Sequence, residues 1–146
     1  MRALGVDYGE RRIGLALSDA TGLLASPWKR LANDGNLTAA ARRIADEVRL
    51  LQEGDEAETG LSAIVIGLPR RLSGEPTDQT ARVQKLAELL AAQVSVPISL
   101  QDERLTSREA ETLLAARERD WRKRKDQLDA MAAALILQDF LDSRPR

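Results

Sequence analysis

The stretch Arg2-Ala3-Leu4-Gly5-Val6-Asp7-Tyr8-Gly9 decides the fold, because it is an apolar strand that ends on a carboxylate. Its apolar residues leave no obvious solvent face, which is typical of a strand covered on both sides of a sheet. A carboxylate on an apolar element costs several kcal/mol unless something offsets its charge. Asp7 therefore either serves a site or, as the alternative, caps a turn ahead of Tyr8-Gly9.

Three further acids adjoin apolar segments. Asp102 and Glu103 come after the run 96–100, and Asp129 stands immediately before the amphipathic segment 130–141. Because Asp102 and Glu103 are adjacent, their side chains point to opposite faces of an extended strand. Only one of them can join a site shared with Asp7 and Asp129, and strand parity does not choose between them. The alternative is that both are solvated or pair with Arg104.

The helical position of Asp129 is informative. At 100° per residue, Ala133, Ile136 and Phe140 fall within ~40° of Asp129, so Asp129 lies in the middle of the apolar face. The dipole at a helix start would stabilise an acid here, but it does not explain why the acid faces the apolar side. Asp126 lies ~60° away and has no assigned role. Together the acids at 7, 102 or 103, and 129 predict a divalent-metal site.

Composition limits the chemistry of such a site. The chain has neither His nor Cys, which excludes His-dependent triads, a thiol nucleophile and every His or Cys metal site. Oxygen ligands remain, and they suit Mg²⁺ or Mn²⁺. Acid-bound metal would then have to supply the hydroxide for any hydrolysis.

Length and hydropathy bound the class of protein. With 146 residues, 43% of them hydrophobic and 31% charged, the chain is expected to form a single domain, residues 1–146. No run approaches the ~18 apolar residues of a membrane span, and no signal pattern opens the chain. We therefore expect a cytoplasmic protein that does not bind membranes. The net charge of −1 does not by itself favour nucleic-acid binding.

The hydrophobic pattern predicts an α/β fold. The expected strands are 2–8, 13–18, 23–31, 61–66 and 96–100, and the expected helices are 36–51, 77–93, 106–117 and 126–142. The early strands form a meander and the later ones alternate with helices, which predicts a mixed five-stranded sheet flanked by helices. Pro27 places its strand toward an edge. The acids should then lie at the carboxyl ends of central strands, where ligands bind in such sheets.

Basic residues surround the expected site. A dense patch precedes Asp129 and contains Arg117, Arg119, Trp121, Arg122, Lys123, Arg124 and Lys125. Trp121 can stack on an unpaired base. Arg11, Arg12, Arg70 and Arg71 follow strands whose loops should lie on the same edge of the sheet. A basic run is often only a solvated connector, but its place beside the acids favours phosphate contacts.

Several motifs, in order along the chain, resemble the YqgF family, also called RuvX. They are Val6-Asp7-Tyr8-Gly9, Ile13-Gly14-Leu15-Ala16, Gly67-Leu68-Pro69, Asp102-Glu103-Arg104-Leu105-Thr106, Leu128-Asp129-Ala130-Met131-Ala132-Ala133 and Ile136-Leu137-Gln138. The resemblance implies an RNase H-like fold, with Asp7, Glu103 and Asp129 as catalytic, metal-binding acids. Arg104, next to Glu103, is expected among the nucleic-acid contacts. The loop 70–74 departs from the family pattern, in which an Asn and an acid often precede the glycine.

The resemblance leaves several functions open. Family members are described as nucleases of precursor 16S rRNA and as Holliday junction resolvases, so precursor rRNA is the expected partner and a DNA four-way junction the alternative. A resolvase would act as a two-fold homodimer, and an rRNA nuclease would meet a ribosomal particle. A non-catalytic ribosome-associated factor is an alternative of another class. The Asp-Tyr-Gly opening also resembles sugar kinases and actin-like ATPases, but those need two such lobes.

Overall fold

The structure is a computed structural model that describes residues 2–53, 60–71, 73–103 and 121–144. In its last helix, the side chains at 121–127 and 129 lie outside the described part. The predicted helix 106–117 and the expected contact residues Arg104, Arg117 and Arg119 also lie outside it.

The described residues form five strands and three helices. The strands are β1 (Arg2–Tyr8), β2 (Arg12–Ser18), β3 (Ala25–Ala32), β4 (Leu61–Pro69) and β5 (Ile98–Glu103), and the helices are α1 (Leu37–Glu53), α2 (Asp78–Ala91) and α3 (Trp121–Ser143). The strand order is β3-β2-β1-β4-β5. β1–β2 and β2–β3 are antiparallel, and β1–β4 and β4–β5 are parallel. The predicted mixed five-stranded sheet is confirmed, as is the edge position of the strand with Pro27.

Each face of the sheet has its own apolar core. Leu4, Val6 and Tyr8 of β1 belong to the core that the sheet forms with α1 and α2. Ala3 belongs to the core under α3, and a side chain on Gly5 would meet the carbonyl of Ala133 and Cβ of Leu137, both at 2.8 Å. β1 thus alternates between two covered faces, as its nearly continuous apolar sequence predicts.

Three predicted boundaries were wrong in ways that affect the site. β4 continues to Pro69 and β5 to Glu103, because the two strands stay paired at Leu68–Asp102 and Pro69–Glu103. Asp102 and Glu103 therefore lie within β5, which is an edge strand of the described sheet and not a central one. α3 includes residues 121–125, which were expected in a connector, since Arg and Lys are good helix formers.

Among the described helices, none combines the length and apolar character that crossing a membrane requires.

Candidate metal and nucleic-acid site

Asp7 lies near the carboxyl end of β1, on the face of the sheet that α3 covers. This follows from the alternation that sends Ala3 and Gly5 to that face. Asp7 pairs with Gly14 of β2, and the register that joins Val6 to Ile66 brings Gly67 of β4 beside it at the next step. The half-buried Asp7 thus has a glycine on each neighbouring strand, and neither glycine carries a side chain that would cover its carboxylate.

Glu103 ends β5 and leans over β4. Its Oε2 lies 3.0 Å from the point where a Cβ on Gly67 would stand, and Ile136 of α3 contacts the same point. Glu103 is therefore on the α3 face, together with Asp7. Burial raises the pKa of the Glu103 carboxyl group, because a charged carboxylate loses hydration there.

Asp102 points to the other face. It is exposed, and Nε of Arg70 donates a hydrogen bond to its Oδ1 at 2.9 Å. Arg70 also donates from Nη1 to the carbonyl of Gly74, at 3.2 Å. The choice that strand parity left open is thus decided by packing: Glu103, and not Asp102, shares a face with Asp7.

Position 129 approaches the same region along α3. Gln138, near the end of this helix, accepts a hydrogen bond from the backbone N–H of Ala25 and donates one to the carbonyl of Leu23, each at 2.9 Å. Ala25 pairs with Ser18 of β2, and Ser18 Oγ accepts a hydrogen bond from the N–H of Ala3 at the start of β1. Gln138 therefore lies near the start of β1. α3 therefore runs antiparallel to β1. Position 129, one turn before Ala133, lies toward the carboxyl end of β1, where Asp7 is.

The residues fit a divalent cation by donor chemistry and by charge. Asp7 and Glu103 offer only oxygen, which suits Mg²⁺ or Mn²⁺. Partial burial disfavours the charged form of Glu103 and raises its pKa, and a bound cation would offset that cost. Among the side chains that the structure describes, no three acids form a metal-binding group, and Asp129 is not one of those side chains.

Two of the expected phosphate contacts lie where β1 turns into β2. Arg11 is in the turn, Arg12 is the first residue of β2, and both are exposed. Two hydrogen bonds hold the turn. The N–H of Gly9 donates to the carbonyl of Arg12 at 2.9 Å, and Nδ2 of Asn33 donates to the carbonyl of Gly9 at 2.6 Å. The turn held in this way beside Asp7 places one cation in the turn and a second at the start of β2.

The other expected contacts divide into two groups. Arg71 is exposed in the loop after β4, whereas Arg70 is engaged by Asp102 and Gly74. Trp121, Arg122, Lys123, Arg124 and Lys125 belong to the first described turns of α3. Positions 122, 125, 129 and 133 are spaced by three or four residues, so they follow one side of the helix.

Sequence reasoning missed two residues that shape this region. Asn33 joins the β1–β2 turn to the loop before α1, and its Oδ1 also accepts from the N–H of Gly35 at 3.1 Å. Gly67 was interpreted as the end of a strand and as part of a family motif, with no role in the site. The available signal was a glycine followed by Leu68-Pro69 within one apolar run, which often marks a close approach of backbone or ligand.

Comparisons with known proteins agree on one family. A family model described as "RuvX: Holliday junction resolvase" matches residues 1–143. Curated relatives named "Putative pre-16S rRNA nuclease" include one from Pelotomaculum thermopropionicum, 39% identical over 100% of this chain and 90% of its own length. Another, from Chloroflexus aurantiacus, is 43% identical over 97% of this chain and 86% of its own length.

Among solved structures, the Thermus thermophilus RuvC structure matches with a TM-score of 0.54 over 98% of both chains. At 13% sequence identity this likeness shows the fold alone, which is the RNase H-like fold that the family resemblance implies.

Proposed function

This chain belongs to the RuvX family, and from that membership we propose that it is a divalent-metal-dependent nuclease that processes the 5′ end of precursor 16S rRNA. One observation carries the proposal. Asp7 and Glu103, both half-buried, lie on the same face of the sheet, on the two strands that flank β4, and α3 brings position 129 toward them.

The three acids Asp7, Glu103 and Asp129 would hold one or two Mg²⁺ or Mn²⁺ ions. Bound ions of this kind supply an activated water and stabilise the leaving oxygen of an in-line phosphodiester displacement. The chain's own part is to hold the carboxylates. β1 fixes Asp7, β5 fixes Glu103 over Gly67, and partial burial beside α3 removes some of the hydration of the Glu103 carboxyl group.

The cations around the site would bind the phosphate backbone. Exposed Arg11 and Arg71 lie in loops at the carboxyl ends of β1 and β4, and exposed Arg12 begins β2. Residues 121–125 lie on the end of α3 nearest position 129. Arg70 would act by holding its loop to β5 through Asp102, because that ion pair already occupies its guanidinium group. Salt dependence of binding is the expected signature of such contacts.

Precursor rRNA is the proposed substrate because the curated relatives carry that name. The family description favours a second candidate, a DNA Holliday junction. A resolvase has to make paired cuts, which a two-fold homodimer provides, whereas an rRNA nuclease acts on a ribosomal particle or its precursor. Either substrate suits a protein of the cytoplasm.

The test compares cleavage of end-labelled precursor 16S RNA and a four-way DNA junction, each with Mn²⁺ and with EDTA. The variants are Asp129→Asn and Glu103→Gln, with Asp102→Asn as the matched control on the opposite face of β5. We expect metal-dependent RNA cleavage that the first two variants lose and the control keeps. Symmetric nicking of the junction alone would make the protein a resolvase. RNA binding without cleavage would favour the non-catalytic ribosome-associated factor.

A further inference from the structure

Gly67 lies inside β4, although glycine weakens a strand and contributes no side chain to packing. Its backbone does not demand a glycine, because Gly67 is not among the residues with positive φ, which are Gly22, Gly35, Gly60 and Gly74. Close packing explains the glycine instead, because neighbouring side chains occupy the space that a Cβ would need. A Cβ at this position would stand 2.6 Å from Cδ1 of Ile136 and 3.0 Å from Oε2 of Glu103. The Glu103 carboxylate thus lies against Gly67, in space that any side chain at this position would occupy.

The position of Gly67 matters because β4 separates the two strands that carry the acids. Neighbouring strands lie ~4.8 Å apart, so the backbones of β1 and β5 are separated by roughly 10 Å. Carboxylates that share one Mg²⁺ need oxygens within about 4 Å of each other, given metal–oxygen bonds of about 2 Å. To meet, the side chains of Asp7 and Glu103 have to reach across β4. Glu103 is paired with Pro69, but its Oε2 extends back to Gly67, the β4 residue next to Asp7.

We propose that Gly67 is a positioning residue. Because it has no side chain, the Glu103 carboxylate can extend over β4 toward Asp7, and this position of the carboxylate sets the affinity of the site for a divalent cation. The inference rests on the proposed function and deepens it. A methyl group at this position would push the carboxylate outward, away from Asp7. Loss of supporting contacts around metal ligands typically lowers metal affinity or activity by about 10–100-fold.

Gly67 also contacts α3, so the experiment has to separate helix packing from the position of the carboxylate. Ile136→Val removes Cδ1, the atom at 2.6 Å, and leaves Glu103 Oε2 as the closest obstacle. The proteins compared are wild type, Ile136→Val, and Gly67→Ala combined with Ile136→Val. Each is assayed for its thermal unfolding midpoint in EDTA, for the rise of that midpoint on adding Mn²⁺, and for RNA cleavage. Should the double variant prove insoluble, Gly67→Ala with Ile136→Ala replaces it, against Ile136→Ala alone.

We expect the double variant to unfold in EDTA near the midpoint of Ile136→Val, while its Mn²⁺ affinity and cleavage rate fall at least about tenfold. Full Mn²⁺ stabilisation and cleavage in the double variant would overturn the inference and limit Gly67 to helix packing. That outcome differs from failure of the proposed function, in which the wild type itself shows neither Mn²⁺ stabilisation nor cleavage, and which would refute the role of Gly67 as well.

Discussion

Arg70 and Asp102 form an ion pair, with Nε donating to Oδ1 at 2.9 Å, on the opposite side of β5 from the carboxylate of Glu103. Two adjacent acids thus have different environments. Asp102 is exposed beside a cation, whereas Glu103 is partly buried under α3. The functional difference between the two acids follows from which face of the sheet each one meets.

Asp102→Asn should change stability and cleavage only slightly. The side chains of Asp102 and Arg70 are 49% and 30% exposed, and exposed ion pairs contribute about 0–1 kcal/mol. Urea unfolding and RNA cleavage of the variant, measured beside Glu103→Gln, test this. If Asp102→Asn abolished cleavage as completely as Glu103→Gln, the division of roles between the two acids would be wrong.

Glu103→Gln should stabilise the metal-free protein near neutral pH. Burial raises the pKa of Glu103 above its ordinary value in the folded state. The folded state therefore favours the protonated acid, so this group contributes stability at low pH and loses that contribution as the pH rises through its folded pKa. Glutamine carries no charge to desolvate at any of these pH values.

The measurement is the unfolding free energy in EDTA between pH 4 and pH 8, for wild type and Glu103→Gln. The advantage of the variant should grow with pH and be smallest at the acidic end, where the wild-type carboxyl group is neutral. Asp102→Asn serves as the control and should show no such growth. A Gln variant that is less stable than wild type at neutral pH would contradict the argument.

Mn²⁺ should stabilise the wild type but not Asp7→Asn. A ligand that binds only the folded state adds about 2.7 kcal/mol at a hundred times its dissociation constant. Asparagine keeps the shape of Asp7 and removes its charge, so we expect an intact fold with no cleavage. Differential scanning with and without Mn²⁺ measures the first effect. Circular dichroism in EDTA checks the fold, and an active Asp7→Asn protein would refute the assignment.

Reversing Arg122 and Arg124 to Glu should weaken RNA binding and flatten its salt dependence. Each lost phosphate contact lowers the slope of log K against log salt by about 0.7 for single strands. The matched control reverses Arg42 and Arg49, two exposed arginines of α1 on the other face of the sheet. The measurement is RNA affinity across a salt series. Equal slopes for wild type and the Arg122/Arg124 variant would remove this end of α3 from the interface.

Much of the fold was accessible from local pattern. The apolar run that ends at Asp7 predicted a strand, and Pro27 predicted an edge strand, because side-chain alternation and the missing proline N–H act within one element. The bounds of β4 and β5 were less accessible, since the pairing of Pro69 with Glu103 extends both strands beyond their apolar cores.

By itself, the sequence determined which residue types were available: acids on apolar elements, no His and no Cys, and hence a site built from oxygen ligands. It also determined that Asp102 and Glu103 point to opposite faces, because strand parity is local. Only the tertiary structure decided that Glu103 shares a face with Asp7, and that Gly67, which has no side chain, lies on the strand between them. Those relationships depend on how α3 packs across the sheet and on the register of three strands, which are contacts between residues far apart in the chain.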